Sequence, residues 1–334
     1  MKQFIKKIFF FILIGLIPLG ILSLGYFYFD PFKVLKKQKN SLFREITPNR
    51  DFVSTEMFLR NCKNIQYNSF VFGSSRTLAF RPISWQKYLK INSRIFMFDA
   101  SSESIYGIYK KLKFLDKLDI KLNNVLIVLC RSCSFDNDCN HKGYLFIKHP
   151  AISGESELRF QLEFYRTYLN PRYLFSFYDY KFTGKYKEYM KSYFEFGKTS
   201  IDSITNEMYE IDLEKQLKYD FLGYYRKRNT IFYNRTSEKK DSISRINENH
   251  LFILKEIKHI LNKNKTNYKI VLSPLYEQVK FNSKDYYLLK KIFGRNIYDY
   301  SGKNKFTDLK TNYYENSHYK PFVGDSILKE IYSN

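Results

Sequence analysis

From Ile8 to Phe29 the chain reads Ile-Phe-Phe-Phe-Ile-Leu-Ile-Gly-Leu-Ile-Pro-Leu-Gly-Ile-Leu-Ser-Leu-Gly-Tyr-Phe-Tyr-Phe without one charged residue. At about 1.5 Å of rise per residue, such a run covers the roughly 30 Å of a bilayer's hydrocarbon core. The pattern predicts one transmembrane helix, with Tyr26 and Tyr28 at the level of an interfacial aromatic belt. Pro18 is compatible with a spanning helix. A cleaved signal peptide has a shorter apolar core, about 7 to 15 residues, and a small-residue cleavage site. Phe27, Tyr28 and Phe29 stand where that site belongs, and no cysteine is near enough for lipid attachment.

Past the span the pattern changes period. Pro31 to Arg50 is a basic juxtamembrane linker, and residues 51–334 carry the folded domain. Ser69–Gly73 and Arg94–Asp99 are short strands, and Val125–Leu129 is an unbroken apolar run typical of a parallel strand covered on both faces. Ile105, Ile108, Leu112 and Leu115 recur at helical spacing, as do Leu251, Leu254, Ile257 and Leu261. Lys269–Ser273 is a strand ended by Pro274, Asn296–Asp299 a further short one, and Pro321 opens a last helix with Val323, Ile327 and Ile331 inward. Strands alternating with helices predict an α/β domain, a doubly wound, mainly parallel sheet with helices on both faces. Residues 153–242 break the rhythm; crowded with Tyr, Phe and Lys, they read as a mainly helical insertion packed on the core.

Charge complicates the location. Lys2, Lys6 and Lys7 precede the span, while Lys33, Lys36, Lys37 and Lys39 lie beyond it, so the positive-inside rule is balanced. The domain is placed outside the cytoplasm because a single N-terminal anchor commonly exports the domain behind it. The net charge of +23 invites a nucleic-acid reading, but the lysines are dispersed and no Arg-rich block or zinc-finger spacing occurs. Anionic lipid, an acidic polysaccharide or plain solvation accounts for the charge without nucleic acid. The 30 Tyr and 32 Phe, with abundant Lys, Asn and Ile, match the AT-rich codons of a biased genome.

Candidate chemistry lies at two distant places. Gly73-Ser74-Ser75-Arg76-Thr77 comes after the first strand, where sites of doubly wound sheets form. Glu315-Asn316-Ser317-His318 precedes the last helix. A carboxylate three residues before a histidine can orient the ring while its other nitrogen faces a nucleophile. The nearby helix N-terminus favours a neutral His318, as a general base requires.

Together these two blocks resemble the SGNH/GDSL hydrolase superfamily, whose Gly-Asp-Ser block comes after the first strand and whose Asp-x-x-His block precedes the last helix. Ser74 and Glu315 stand where that family has Asp. The ending from Glu315 through Pro321 to Asp325, and the Asp30-Pro31 step after the span, look like membrane-anchored bacterial members. The resemblance covers about Ser69 to Ile331. It implies a three-layer, flavodoxin-like fold with Ser75 as nucleophile, His318 as base and Glu315 as its orienter. It further implies acyl transfer without metal or cofactor, on acyl groups of an envelope glycan, as an esterase or O-acyltransferase. The family's second-block glycine and third-block asparagine are absent from Asp99-Ala100-Ser101-Ser102-Glu103 and Cys130-Arg131-Ser132-Cys133-Ser134-Phe135-Asp136. The oxyanion candidates are therefore the N–H groups of Ser75 and near Ser102, with Arg131 or Ser132 in place of the asparagine. Arg76 is a candidate for an anionic substrate group, against a salt bridge to a neighbouring loop. The irregular blocks also fit an inactive domain that binds glycan or scaffolds other envelope-assembly proteins.

The four cysteines are Cys62, Cys130, Cys133 and Cys139. Cys130-x-x-Cys133, with Cys139 and His141 near, matches a redox pair or half a zinc site but no standard zinc module. Outside the cytoplasm, a Cys133–Cys139 disulfide would staple this loop, with Cys130 a plain buried thiol. His149, His250 and His259 have no acidic or cysteine partner at a telling spacing, and the last two read as surface residues.

Overall fold

The computed structural model describes residues 1–36, 46–131, 133–136, 142–194 and 199–333, without the side chains of residues 8, 11–13 and 136. Helix α1 (Lys2–Phe29) is succeeded by α2 (Arg50–Ile65), β1 (Ser69–Gly73), β2 (Ile95–Met97), α3 (Ile105–Lys117) and β3 (Asn124–Leu129). The insertion contains α4 (Glu157–Tyr168), α5 (Pro171–Thr183), a hairpin of β4 (Thr199–Ile201) with β5 (Met208–Glu210), α6 (Ile211–Tyr219) and a short helix, Phe221–Arg226. The hairpin is a departure from the mainly helical expectation. Then come α7 (Glu248–Lys263), β6 (Asn267–Leu272), α8 (Ser283–Phe293), β7 (Ile297–Asp299), β8 (Tyr313–Glu315), β9 (His318–Tyr319) and α9 (Pro321–Tyr332).

Five parallel strands form the central sheet in the order β2-β1-β3-β6-β7. The chain winds outward from β1 to β2, then returns to the other side of β1 for β3, making the gap between β1 and β3 a topological switch point. Period-two alternation divides the core. Phe70 and Phe72 of β1 join α2, α3, α7 and α8 on one face, through Phe58, Ile108, Leu112, Leu254 and Leu289. Val71 turns the other way, with Leu126, Val128, Trp85, Val323 and Ile327, beneath α9. Full burial of each such apolar side chain contributes about 1.5–3 kcal/mol relative to exposure.

A third cluster ties the end of α1 to the insertion. Tyr26 packs on Tyr165 and Tyr168, with ring centroids 5.3 and 5.2 Å away, and Phe32 stacks on Tyr173 at 4.8 Å. A Cβ on Gly25 would lie 2.4 Å from the Tyr178 hydroxyl, so any larger residue there would displace that side chain. Asp30 ends α1 in the left-handed region (φ 43°), and its carboxylate accepts from the N–H groups of Val34 and Lys36, both at 2.9 Å. Upstream, Phe10, Ile14, Ile17 and Ile21 are exposed. Among the described residues no helix is long and apolar enough to cross a membrane. The expected span includes residues 8 and 11–13, whose side chains lie outside those described.

His250 departs from expectation. It is buried, not a surface residue, because Asn247 caps α7 and the ring completes the capping box, Nδ1 accepting the Asn247 N–H at 3.3 Å. His149 does have an acidic partner, Glu56 at 3.1 Å, while His259 is exposed.

Candidate active site

β1 ends at Gly73, whose φ of 147° and proximity to β3 both demand glycine: a Cβ there would lie 2.4 Å from the Val128 carbonyl oxygen. The chain then turns into a short 3-10 helix, Ser75–Ala79, fastened by Thr77 Oγ1 donating to the Ser74 carbonyl at 2.9 Å. Ser75 opens this helix, so its N–H is among the donors a helix start leaves without an internal partner. Gly324 of α9 presses on the other end of the turn, where a Cβ would be 2.0 Å from the Ala79 carbonyl oxygen. That contact draws the last helix, and the hairpin before it, over the switch point.

The hairpin explains the spacing of the second motif. β8 and β9 are antiparallel, and Glu315 pairs with His318 across a turn made by Asn316 and Ser317. Cross-strand partners have Cβ atoms about 5 Å apart, so carboxylate and ring meet directly. His318 Nδ1 is hydrogen-bonded to Glu315 Oε1, and His318 Nε2 lies 2.6 Å from Ser75 Oγ. Ser317 adds its N–H (2.8 Å) and hydroxyl (2.9 Å) to Glu315 Oε2. Burial works to raise the Glu315 carboxyl, but His318 and the Ser317 bonds outweigh it and hold it below its usual range.

A cavity of about 350 Å³ opens beside this triad, lined by Ser75, Glu315 and His318 together with Leu78, Arg81, Tyr314, Tyr319 and Pro321. Its opposite wall is the insertion: Met208, Tyr209, Ile211, Leu213, Glu214 and Lys215. None of that wall was foreseen, since nothing in the sequence joins residues 208–215 to either motif. The supporting role of Ser317 had a signal, its place inside the Glu-x-x-His hairpin.

Other sequence candidates stand elsewhere. Arg131 is committed to Glu277, through bonds of 2.7 and 3.0 Å, and to Asp241 at 3.0 Å. It does not line the cavity, and neither does Ser102, which is exposed with a left-handed φ of 48°. Ser132, Cys139 and His141 lie outside the described residues. Arg76 faces Ser74 Oγ (3.3 Å) and Cys133 Sγ (3.6 Å) and lines no part of the cavity. Among the described residues it makes no salt bridge to a neighbouring loop.

The stretch without the family's glycine is pinned by buried charges. Asp99 takes both Nε and Nη2 of Arg50 at 2.9 Å. Glu103 and Asp51 share the buried ammonium groups of Lys111 and Lys148, in ion pairs of 2.5 to 3.1 Å. Glu103 Oε1 would also lie 1.9 Å from a Cβ on Gly107. Four charges compensating one another in the interior fix the 99–103 loop beside the site.

No family model matches the chain, and no curated protein matches it either.

Proposed function

We propose that this protein is a serine-dependent acyl-transfer enzyme of SGNH type, an esterase or O-acyltransferase, held at the membrane by the uncharged run Ile8–Phe29. The supporting observation is the relay Ser75 Oγ to His318 Nε2 at 2.6 Å, with Glu315 on the other ring nitrogen. In this reading His318 takes the Ser75 proton as Oγ attacks the acyl carbonyl. It returns that proton to the departing alkoxide, leaving the acyl group on Ser75. A water or sugar hydroxyl, deprotonated by the same nitrogen, then releases it. Glu315 keeps the proton of His318 on Nδ1 and offsets the charge of the transient imidazolium.

The Ser75 N–H, at the start of the 3-10 helix, is the first candidate for the oxyanion. The cavity's apolar side chains, Leu78, Met208, Ile211 and Leu213, suit an acyl group, and Arg81 and Lys215 suit an anionic or hydroxylated envelope glycan. The domain then faces outward, with the bilayer and an acyl-bearing glycan as partners. A serine-directed fluorophosphonate tests the assignment on the full chain in detergent. Labelling at Ser75 that disappears in Ser75→Ala is expected; a wild-type protein that stays unlabelled defeats it.

A second reading, an inactive SGNH-type domain that binds glycan or scaffolds envelope assembly, draws on Arg131. Its engagement with Glu277 and Asp241 removes it as an oxyanion donor. Saccharide binding by an unlabelled protein favours that reading.

A further inference from the structure

β3 lies next to β1, and the turn after it brings two thiols behind the Ser74–Arg76 segment. Cys130, directly after β3, is buried, and Cys133 is partly exposed. Their Sγ atoms are 2.8 Å apart. A disulfide bond is about 2.05 Å long, so closing this pair requires less than about 1 Å of movement. Ser134 fixes the turn by accepting the Cys130 N–H at 2.9 Å.

Arg76 stands over this pair. Its hydrogen-bond partners among the described residues are Ser74 Oγ and Cys133 Sγ, and its Nε is buried without one. A guanidinium so enclosed ordinarily faces a carboxylate; here it faces sulfur. The Cys133 thiol and the Arg76 charge hold the Cys130 thiol well below its usual range, while the bond to Cys130 and burial push Cys133 up. Arg76 thus meets the pair at Cys133, whose Sγ lies 3.6 Å from its guanidinium.

We propose that Cys130 and Cys133 are a redox site, and that its conversion from dithiol to disulfide takes the Cys133 sulfur away from Arg76 as a hydrogen-bond acceptor and frees this cation to hold an anion next to Ser75. The oxidant is a low-molecular-weight or protein disulfide, RSSR. Cys133, the more accessible sulfur, loses its proton as it attacks one sulfur of RSSR, and the departing RS⁻ takes that proton up. Cys130 Sγ then attacks Cys133 Sγ, forming the internal bond, and the second RS⁻ leaves with the Cys130 proton. Two cysteine thiols are oxidised, one RSSR is reduced, and the two thiol protons leave on two RSH. That the anion belongs to a substrate rests on the acyl-transfer reading; the redox step does not.

The test uses the full chain in lipid nanodiscs with Cys62→Ser and Cys139→Ser, so that only this pair remains. After equilibration with oxidised glutathione, both cysteines are expected to resist maleimide and their peptide to lose about 2 Da, with no glutathione attached. A lasting glutathione adduct on Cys133, or two thiols still open to maleimide, overturns the redox site. Inorganic phosphate binding, tracked by the rise in unfolding temperature, then reads Arg76. The oxidised form is expected to bind phosphate at least about fivefold more tightly than the reduced form, and Arg76→Gln to erase the difference. Cys130→Ser with Cys133→Ser, which leaves Arg76 in place, is expected to show no redox response. Equal phosphate affinity in both states of the parent overturns the link to Arg76. Phosphate binding does not depend on nucleophilic Ser75, so failure of fluorophosphonate labelling is a separate result.

Discussion

The hydroxyl of Tyr225 donates to the carbonyl of Tyr313 at 2.9 Å, two residues before the carboxylate that orients His318. Its neighbour Tyr224 does the same to Tyr314 at 2.7 Å. The aromatic insertion therefore braces the backbone of the triad hairpin as well as walling the cavity. Tyr225→Phe removes this brace while keeping the ring; Ser75 labelling is expected to slow several-fold with little change in unfolding temperature. Unchanged labelling would show that the hairpin holds itself.

Glu315→Gln keeps the shape of the orienting group and removes its charge. General-base assistance is worth about 10²- to 10⁴-fold, so the rate of Ser75 labelling should fall within that range, with Ser75→Ala giving none. A rate within about twofold of wild type separates Glu315 from catalysis.

The cavity wall offers a steric test. Leu213→Trp fills space on the insertion side without touching Ser75, His318 or Glu315. In a series of p-nitrophenyl esters, hydrolysis of longer acyl chains should fall at least about tenfold relative to acetate, since one misplaced methylene group costs about 1–3 kcal/mol. A uniform loss across the series would place the acyl group elsewhere.

The interior ion cluster sets the acid limit of stability. Burial works to raise the Asp51 carboxyl, but Lys111 and Lys148 outweigh it and leave it well below its usual value. A carboxyl depressed in the folded state stabilises the protein above its unfolded pKa of about 3.9 and ceases to do so as pH falls through the folded value. Chemical denaturation between pH 7 and pH 2 should show this loss beginning below about pH 4, and Asp51→Asn should flatten it. Lys111→Met, which leaves Asp51 and Glu103 undercompensated, should cost about 3–5 kcal/mol at neutral pH.

The packing of α1 on the insertion predicts where the insertion sits. Phe182 is exposed and stacks on Tyr178, which touches Phe29 and the backbone at Gly25. In nanodiscs with brominated acyl chains, Phe182→Trp fluorescence should be quenched, and that of Ile17→Trp, at mid-span, more strongly. Ile83→Trp should respond to aqueous acrylamide instead. Quenching of Ile17→Trp alone would leave the anchor and remove the insertion from the interface.

Much of this was legible in the chain for identifiable reasons. Val125–Leu129 could only be a covered strand because it has no polar face to offer. The motifs at Ser75 and His318 were legible because a strand end and a two-residue turn fix geometry locally. The hairpin 199–210 was not, since three-residue strands of mixed polarity carry no period. The ion cluster hid because, in a chain of charge +23, a lysine reads as surface. One trace was visible: Lys111 falls on the apolar stripe of α3 with Ile108, Leu112 and Leu115. A cation there needs a buried anion. His250 was misread because helix capping, a local hydrogen-bond role, buried a ring that its composition placed outside.

The 243 positions separating Ser75 from His318 have a consequence for biosynthesis. Ribosomes add about 5–20 residues per second, so the serine precedes its base by an interval on the order of ten to fifty seconds. Through that interval the nascent chain carries an ordinary alcohol, harmless to surrounding esters. On the acyl-transfer reading, reactivity arrives only with the Glu315–His318 hairpin, so the order of synthesis itself delays the onset of activity.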